Sequence, residues 1–118
     1  MAETTLDVQI EELQGVHVVT VTGPLDSVTY DLFREKMEPL VGTSSSRVVL
    51  DCTHLSYVNS RGLTLLARYQ RLAAGTLSFF GIAALSERIM RAIELLGLAK
   101  LLTLYPTVDE AIKAASSM

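Results

Sequence analysis

Apolar and polar residues alternate along Leu6-Asp7-Val8-Gln9-Ile10-Glu11, the period-two pattern of a strand with one face in a core and the other in water. Such a strand suits the edge of a sheet. Leu13-Gln14-Gly15 offers a tight connection, and Val16 to Thr22 is β-branched almost throughout, as expected of a strand covered on both faces. Two strands this close in sequence should form an antiparallel hairpin. Gly23-Pro24 then ends the second strand, and Asp26 or Ser27 is placed to accept a hydrogen bond from the first turn of a helix. Along that helix Tyr30, Phe33, Met37 and Val41 recur at helical spacing, leaving Arg34, Glu35 and Glu38 outward. Pro39 predicts an early end or a kink.

After the polar loop 42–46, the apolar run Arg47 to Cys52 predicts a third strand, followed by a loop from Asp51 to Asn59. A helix is expected over Ser60 to Ala74, with Leu65, Leu66, Tyr69, Leu72 and Ala73 on its apolar face. Arg61, Thr64, Arg68 and Arg71 line the opposite stripe, read either as a solvated helix face or as a partner-binding stripe that begins beside Ser60. Leu77 to Ile82 predicts a fourth strand. Ser86 can cap the next helix, with Ile89, Ile93 and Leu96 facing inward and Gly97 as its left-handed stop. Leu101 to Tyr105 is short and strand-like, and Thr107 with Glu110 forms a capping box that opens a last helix, Val108 to Ala115.

The order ββαβαβαβα predicts an α/β fold with a mixed, mostly parallel sheet of about five strands, an N-terminal hairpin strand and helices packed on the sheet. Ser60 falls just beyond the C-terminal end of a strand, where open α/β sheets usually place their sites.

Composition narrows the class. A chain of 118 residues, 49% of them hydrophobic, fits one domain over residues 1–118 and can bury a core without disulfides or a structural metal. The single cysteine, Cys52, cannot form an internal bridge, which favours a reducing, cytoplasmic setting. Residues Met1 to Thr5 have neither a basic nor an apolar signal region, and no apolar run is long enough for membrane insertion. With a formal net charge of -3 and no Lys/Arg cluster, neither nucleic acid nor an anionic membrane is the expected partner.

Catalytic and cofactor chemistries find few parts. His17 and His54 stand apart from other ligand residues, Cys52 reads as a buried small hydrophobe, and Asp51 reads as a loop-fixing carboxylate. Ser60 lacks the G-x-S-x-G setting of a hydrolase nucleophile, and no G-x-x-x-x-G-K-[ST] phosphate loop is present. No enzyme activity and no cofactor are expected. On its own residues Ser60 reads as a helix cap, worth roughly 1 kcal/mol. Asn59 is the alternative cap, and its use would free the Ser60 hydroxyl.

Three segments taken together resemble the STAS domain family, and within it the stand-alone bacterial anti-sigma factor antagonists. They are Gly23-Pro24-Leu25-Asp26; Asp51 through Asn59-Ser60-Arg61-Gly62-Leu63; and Glu94-Leu95-Leu96-Gly97-Leu98-Ala99-Lys100-Leu101-Leu102 running on to Ala111. The resemblance implies a non-enzymatic regulator that binds an anti-sigma factor with serine kinase activity, as a monomer or weak dimer. It also implies phosphorylation within the family motif D-S-[ST]-G-L. Ser60 matches the acceptor and Gly62-Leu63 the following pair, whereas Asn59 replaces the usual aspartate, Arg61 a small residue and Pro24 a frequent glutamate. The partner surface so implied comprises Asp26, Asn59, Ser60, Arg61, Gly62, Thr64 and Arg68. Two alternatives keep the fold: an interaction or scaffold module without phosphorylation, or a small-ligand-sensing or transport-associated STAS protein.

Overall fold

A computed structural model describes residues 5–118; residues 1–4, part of the segment read for a secretory signal, lie outside the description. Five strands form one sheet in the order β1-β2-β3-β4-β5. Strand β1 (Asp7–Leu13) pairs antiparallel with β2 (Val16–Leu25), while β3 (Arg47–Val58), β4 (Phe79–Ala83) and β5 (Leu104–Tyr105) continue in parallel. The hairpin turns on Gln14 and Gly15, both at positive φ (56° and 78°), the conformation that matches the twist of the flanking strands. The predicted element order and mixed sheet are those observed.

Helices α1 (Tyr30–Val41), α2 (Ser60–Gly75) and α3 (Glu87–Leu95) contribute to the larger core. Phe33, Met37, Leu63, Leu66, Tyr69 and Ile93 are buried there with Val19, Leu50 and Phe80 of the strands. Helix α4 (Val108–Ser116) packs Ala111 and Ala115 into a second cluster with Val16, Val18, Val49 and Ala83. Among the described residues no helix is long and apolar enough to cross a membrane.

Several local expectations are corrected. Gly23-Pro24 does not end β2, which runs on to Leu25; β1 no longer pairs beyond Thr22, so the missing N–H of Pro24 breaks no β1 ladder bond. Pro39 sits inside α1 only two residues from its end and does not stop it. The first turn of α1 has no side-chain cap: Thr29 occupies that position, and Asp26 instead accepts from the Val28 and Thr29 backbone N–H groups at 2.9 and 3.1 Å, bracing the preceding turn. Leu77 adopts φ 56° and is exposed, so β4 begins at Phe79. Leu72 is exposed at the margin of α2, and Leu96 is exposed just past the end of α3. The segment Ala99–Leu101 forms a short 3-10 turn, which leaves β5 only two residues.

The largest correction concerns residues 51–59. The sequence pattern predicts a loop there, yet β3 continues to Val58 alongside β2. The register advances from Thr20↔Asp51 to Thr22↔His54, and from Gly23↔Leu55 to Pro24↔Tyr57. Each step spends one more residue on β3 than on β2, as a β-bulge does. The buried positions Cys52, Leu55 and Val58 are therefore three apart.

Candidate functional site

The extended β3 delivers Asn59 and Ser60 to the start of α2. Leu25, the last residue of β2, accepts from the Asn59 backbone N–H at 3.1 Å, which locks the two strand ends together. Asn59 has extended backbone geometry, and its Oδ1 accepts from the Gly62 N–H at 2.8 Å. Asparagine caps well because its short side chain reaches back to otherwise unpaired first-turn donors. Asn59 is thus the cap, and Ser60 is the first helical residue.

The consequence for Ser60 is direct. Its side chain is exposed, and its hydroxyl has no hydrogen-bond partner among the described residues. Its backbone carbonyl accepts from Thr64 Oγ1 at 2.9 Å, so Thr64 spends its own hydroxyl on the helix. Gly62 is buried: a β-carbon there would lie 2.8 Å from Val58 Cγ2 and 3.0 Å from Leu25 Cγ. Glycine lets the first turn of α2 approach the ends of β2 and β3 closely.

Arg61 turns toward α1. Its guanidinium carbon lies 3.8 Å from the ring centroid of Tyr30, a cation–π contact between the first turns of two helices. Asp26 lies at the same end of the sheet in the β2–α1 turn, where its Oδ1 also accepts from Thr29 Oγ1 at 3.3 Å. Asp26, Asn59, Ser60, Arg61 and Gly62 therefore share one end of the sheet. Arg68 is not with them: it is exposed on α2 eight positions further on, about 12 Å along the axis at 1.5 Å per residue.

Two residues of this end escaped the sequence reading. Val28, in the β2–α1 turn, is 81% exposed, and Tyr57, beside Val58, is 50% exposed. Each places apolar surface at the end of the sheet that carries Ser60. A β-branched residue before a helix and an aromatic in a presumed loop gave no signal, because both residue types are ordinarily read as core or strand.

Burial pushes the Cys52 thiol up, with Asp51 adding to the effect. Asp51 itself accepts from the Thr53 backbone N–H at 3.0 Å and its hydroxyl at 2.6 Å. The group bonds locally, as a conformational brace would.

Comparison with known proteins now adds to the geometry. The family model described as the STAS domain matches residues 7–111. An anti-sigma factor antagonist from Mycobacterium paratuberculosis, known by crystal structure, is 34% identical, with 97% of each chain covered and a TM-score of 0.84. The anti-sigma-F factor antagonist RsfB of Mycobacterium tuberculosis is 26% identical over 111 residues, covering 94% of this chain and 90% of that protein. An anti-sigma F factor antagonist of Paenibacillus polymyxa is 25% identical over 108 residues, covering 91% and 92%. With the sheet order and these matches in agreement, the chain belongs to the STAS domain family.

Proposed function

We propose that this chain is an anti-sigma factor antagonist: a cytoplasmic regulatory protein without catalytic activity that binds an anti-sigma factor carrying serine kinase activity and is released by phosphorylation at Ser60. The names of the similar proteins support the general role. The observation that carries the switch is the division of labour at the start of α2, where Asn59 caps the helix and leaves the Ser60 hydroxyl unused.

Phosphorylation adds about -1.5 to -2 charges and strong acceptor oxygens. At the first residue of α2 this charge faces the positive end of the helix dipole, so the domain stays folded. Its effect falls on docking, because a hydrated dianion must be stripped of water to enter an interface that offers it no cation.

Incubation with the purified anti-sigma factor and ATP, followed by intact mass, should add one phosphoryl group to the chain and none to Ser60→Ala. Phosphorylation of Ser60→Ala to the same extent removes Ser60 as the acceptor. In a binding titration, Ser60→Asp should weaken the complex by about tenfold or more. One observation favours a second reading, an unswitched interaction module: Arg61 stands where the family motif has a small residue and extends across Tyr30 beside the acceptor. In that case Ser60→Asp binds as well as the parent chain.

A further inference from the structure

The outward face of α2 carries Arg61, Arg68 and Arg71 and no carboxylate, although the whole chain has a net charge of -3. Both ion pairs among the described residues lie on α1, between Arg34 and Asp31 and between Arg34 and Glu38. Arg61 is engaged with Tyr30, whereas Arg68 and Arg71 are exposed without an ion pair.

Toward the C-terminal half of α2, Arg71 meets apolar surface. A surface cavity of about 270 Å³ lies between α2 and the 3-10 turn, lined by Ala67, Gln70, Arg71, Ala74, Lys100 and Leu101. Its shape is held by two internal contacts. Gln70 Oε1 accepts from the Thr103 backbone N–H at 2.9 Å, and Leu102 is buried in the core, which turns its neighbours Lys100 and Leu101 outward. A second shallow cavity, lined by Glu94, Gly97, Ala99 and Lys100, adjoins it through Lys100. Beside it Leu95 is 82% and Leu96 54% exposed, and Leu101 is 51% exposed. Exposed leucines gathered around one α3-to-turn corner are the kind of apolar patch that marks a protein contact.

We infer that the groove between α2 and the Ala99–Leu101 turn docks an acidic amphipathic helix of the same protein partner that meets Ser60, with aliphatic side chains against Leu101 and Ala74 and carboxylates toward Arg68, Arg71 and Lys100. This rests on the proposed anti-sigma factor partnership and extends its footprint along α2. Charge complementarity selects the occupant: Arg68, Arg71 and Lys100 form no ion pair among the described residues and outnumber Glu94 of the adjoining cavity, so they attract carboxylates and disfavour a basic segment. Nucleic acid fits less well, since phosphate backbones are bound by larger basic surfaces and an acidic chain repels them. A helix in a groove also suits the mixed apolar and charged lining, by alternating anchors at successive turns.

The test has a peptide arm and a partner arm. Two synthetic helical peptides share one leucine stripe, one flanked by glutamates and the other by lysines, and amide chemical shifts of the folded chain are followed. The glutamate peptide should move amides of Arg68 to Ala74 and Ala99 to Leu101, and added salt should weaken it. The double variant Arg71→Glu/Lys100→Glu should lose that peptide by about tenfold or more while keeping its thermal unfolding midpoint, because neither side chain holds an internal ion pair. Equal binding of the lysine peptide, shifts confined to other surfaces, or preferential binding of an anionic vesicle or DNA duplex by the chain overturns the inference. In the partner arm the double variant should weaken the purified anti-sigma factor by about tenfold as well. If Ser60→Asp weakens that complex and the double variant does not, the groove is refuted and the Ser60 reading stands; if the anti-sigma factor does not bind the parent chain, the partnership itself fails.

Discussion

Replacing Gly62 with alanine sets two effects of opposite sign against each other. Alanine favours a helix over glycine by up to roughly 1 kcal/mol, so an unpacked site would gain stability. At Gly62 the new β-carbon would stand 2.8 Å from Val58 Cγ2, 3.0 Å from Leu25 Cγ and 3.1 Å from Leu25 Cδ2. Both neighbours are buried, Leu25 at 1% and Val58 at 8% exposure, and they belong to the two strand ends that Asn59 ties together. Neither can retreat without disturbing the core. Overpacking of this kind costs about 1–3 kcal/mol, and pressure on two side chains places the site in the upper half of that range, for a net loss of about 1–2 kcal/mol. For a domain of this size that corresponds to a fall of about 4–8 °C in Tm. Urea unfolding followed by circular dichroism should show a lower midpoint with unchanged slope, and Gly62→Val should fall further. A Gly62→Ala midpoint equal to or above that of the parent chain would refute the close-packing account. Relief of the overlap by outward movement of the first turn also displaces Ser60, so anti-sigma factor binding should weaken in step.

Asn59→Ala should cost about 1 kcal/mol through loss of the bond to the Gly62 N–H, whereas Asn59→Asp should retain most stability, as measured by urea unfolding. A double-mutant cycle of Arg61→Ala and Tyr30→Leu should return a coupling of about 0.5–1 kcal/mol, and a coupling near zero would show that the contact is passive. Among the described residues the Tyr69 hydroxyl is buried without a hydrogen-bond partner, so Tyr69→Phe should raise stability by about 1 kcal/mol while keeping the ring contacts to Phe33 and Phe80. A drop in its unfolding midpoint would mean that the hydroxyl is satisfied in solution. Cys52 adds a pH dependence: burial raises its thiol far above the ordinary value of 9.0, so above about pH 9 the unfolded chain ionises while the folded chain keeps its proton. The unfolded state then binds fewer protons, and stability should fall as pH climbs past that point, less steeply in Cys52→Ala.

The element order was legible because most elements obey a simple period. Phe33, Met37 and Val41 on α1, and Ile89 and Ile93 on α3, repeat at helical spacing and are buried where that spacing puts them. Thr107 and Ser86 cap as their positions suggest, with oxygens accepting from the Glu110 and Ile89 N–H groups at 3.1 and 3.2 Å. The failures arise where tertiary pairing changed the period. Beyond Asp51, β3 has lost β4 as a neighbour and keeps only β2, leaving Thr53, His54, Ser56 and Tyr57 exposed. Two bulges then space its inward residues at 52, 55 and 58, which fits neither a strand's period nor a helix's. A segment so polar and irregular reads as loop, and no single-chain pattern discloses that β2 runs beside it.

That misreading bears on how the site works. A serine on a loop would owe its position to local turn chemistry and tolerate displacement, as loops generally do. Ser60 instead follows directly from a strand end that is hydrogen-bonded to Leu25, capped by Asn59 and packed beneath by Gly62. Bulges sharpen twist and redirect a strand, and they recur beside functional sites for that reason. The two extra residues of β3 therefore act as a positioning device, bringing a free hydroxyl to the first turn of a helix that Asn59 caps. Arg61 completes the frame by fastening that turn to Tyr30 of α1. Under the proposed switch, a charge added at Ser60 meets a helix start already fastened by Asn59, Gly62 and Arg61. On the proposed reading the energetic burden then falls on the partner, as it must if one phosphoryl group is to separate two proteins without unfolding either.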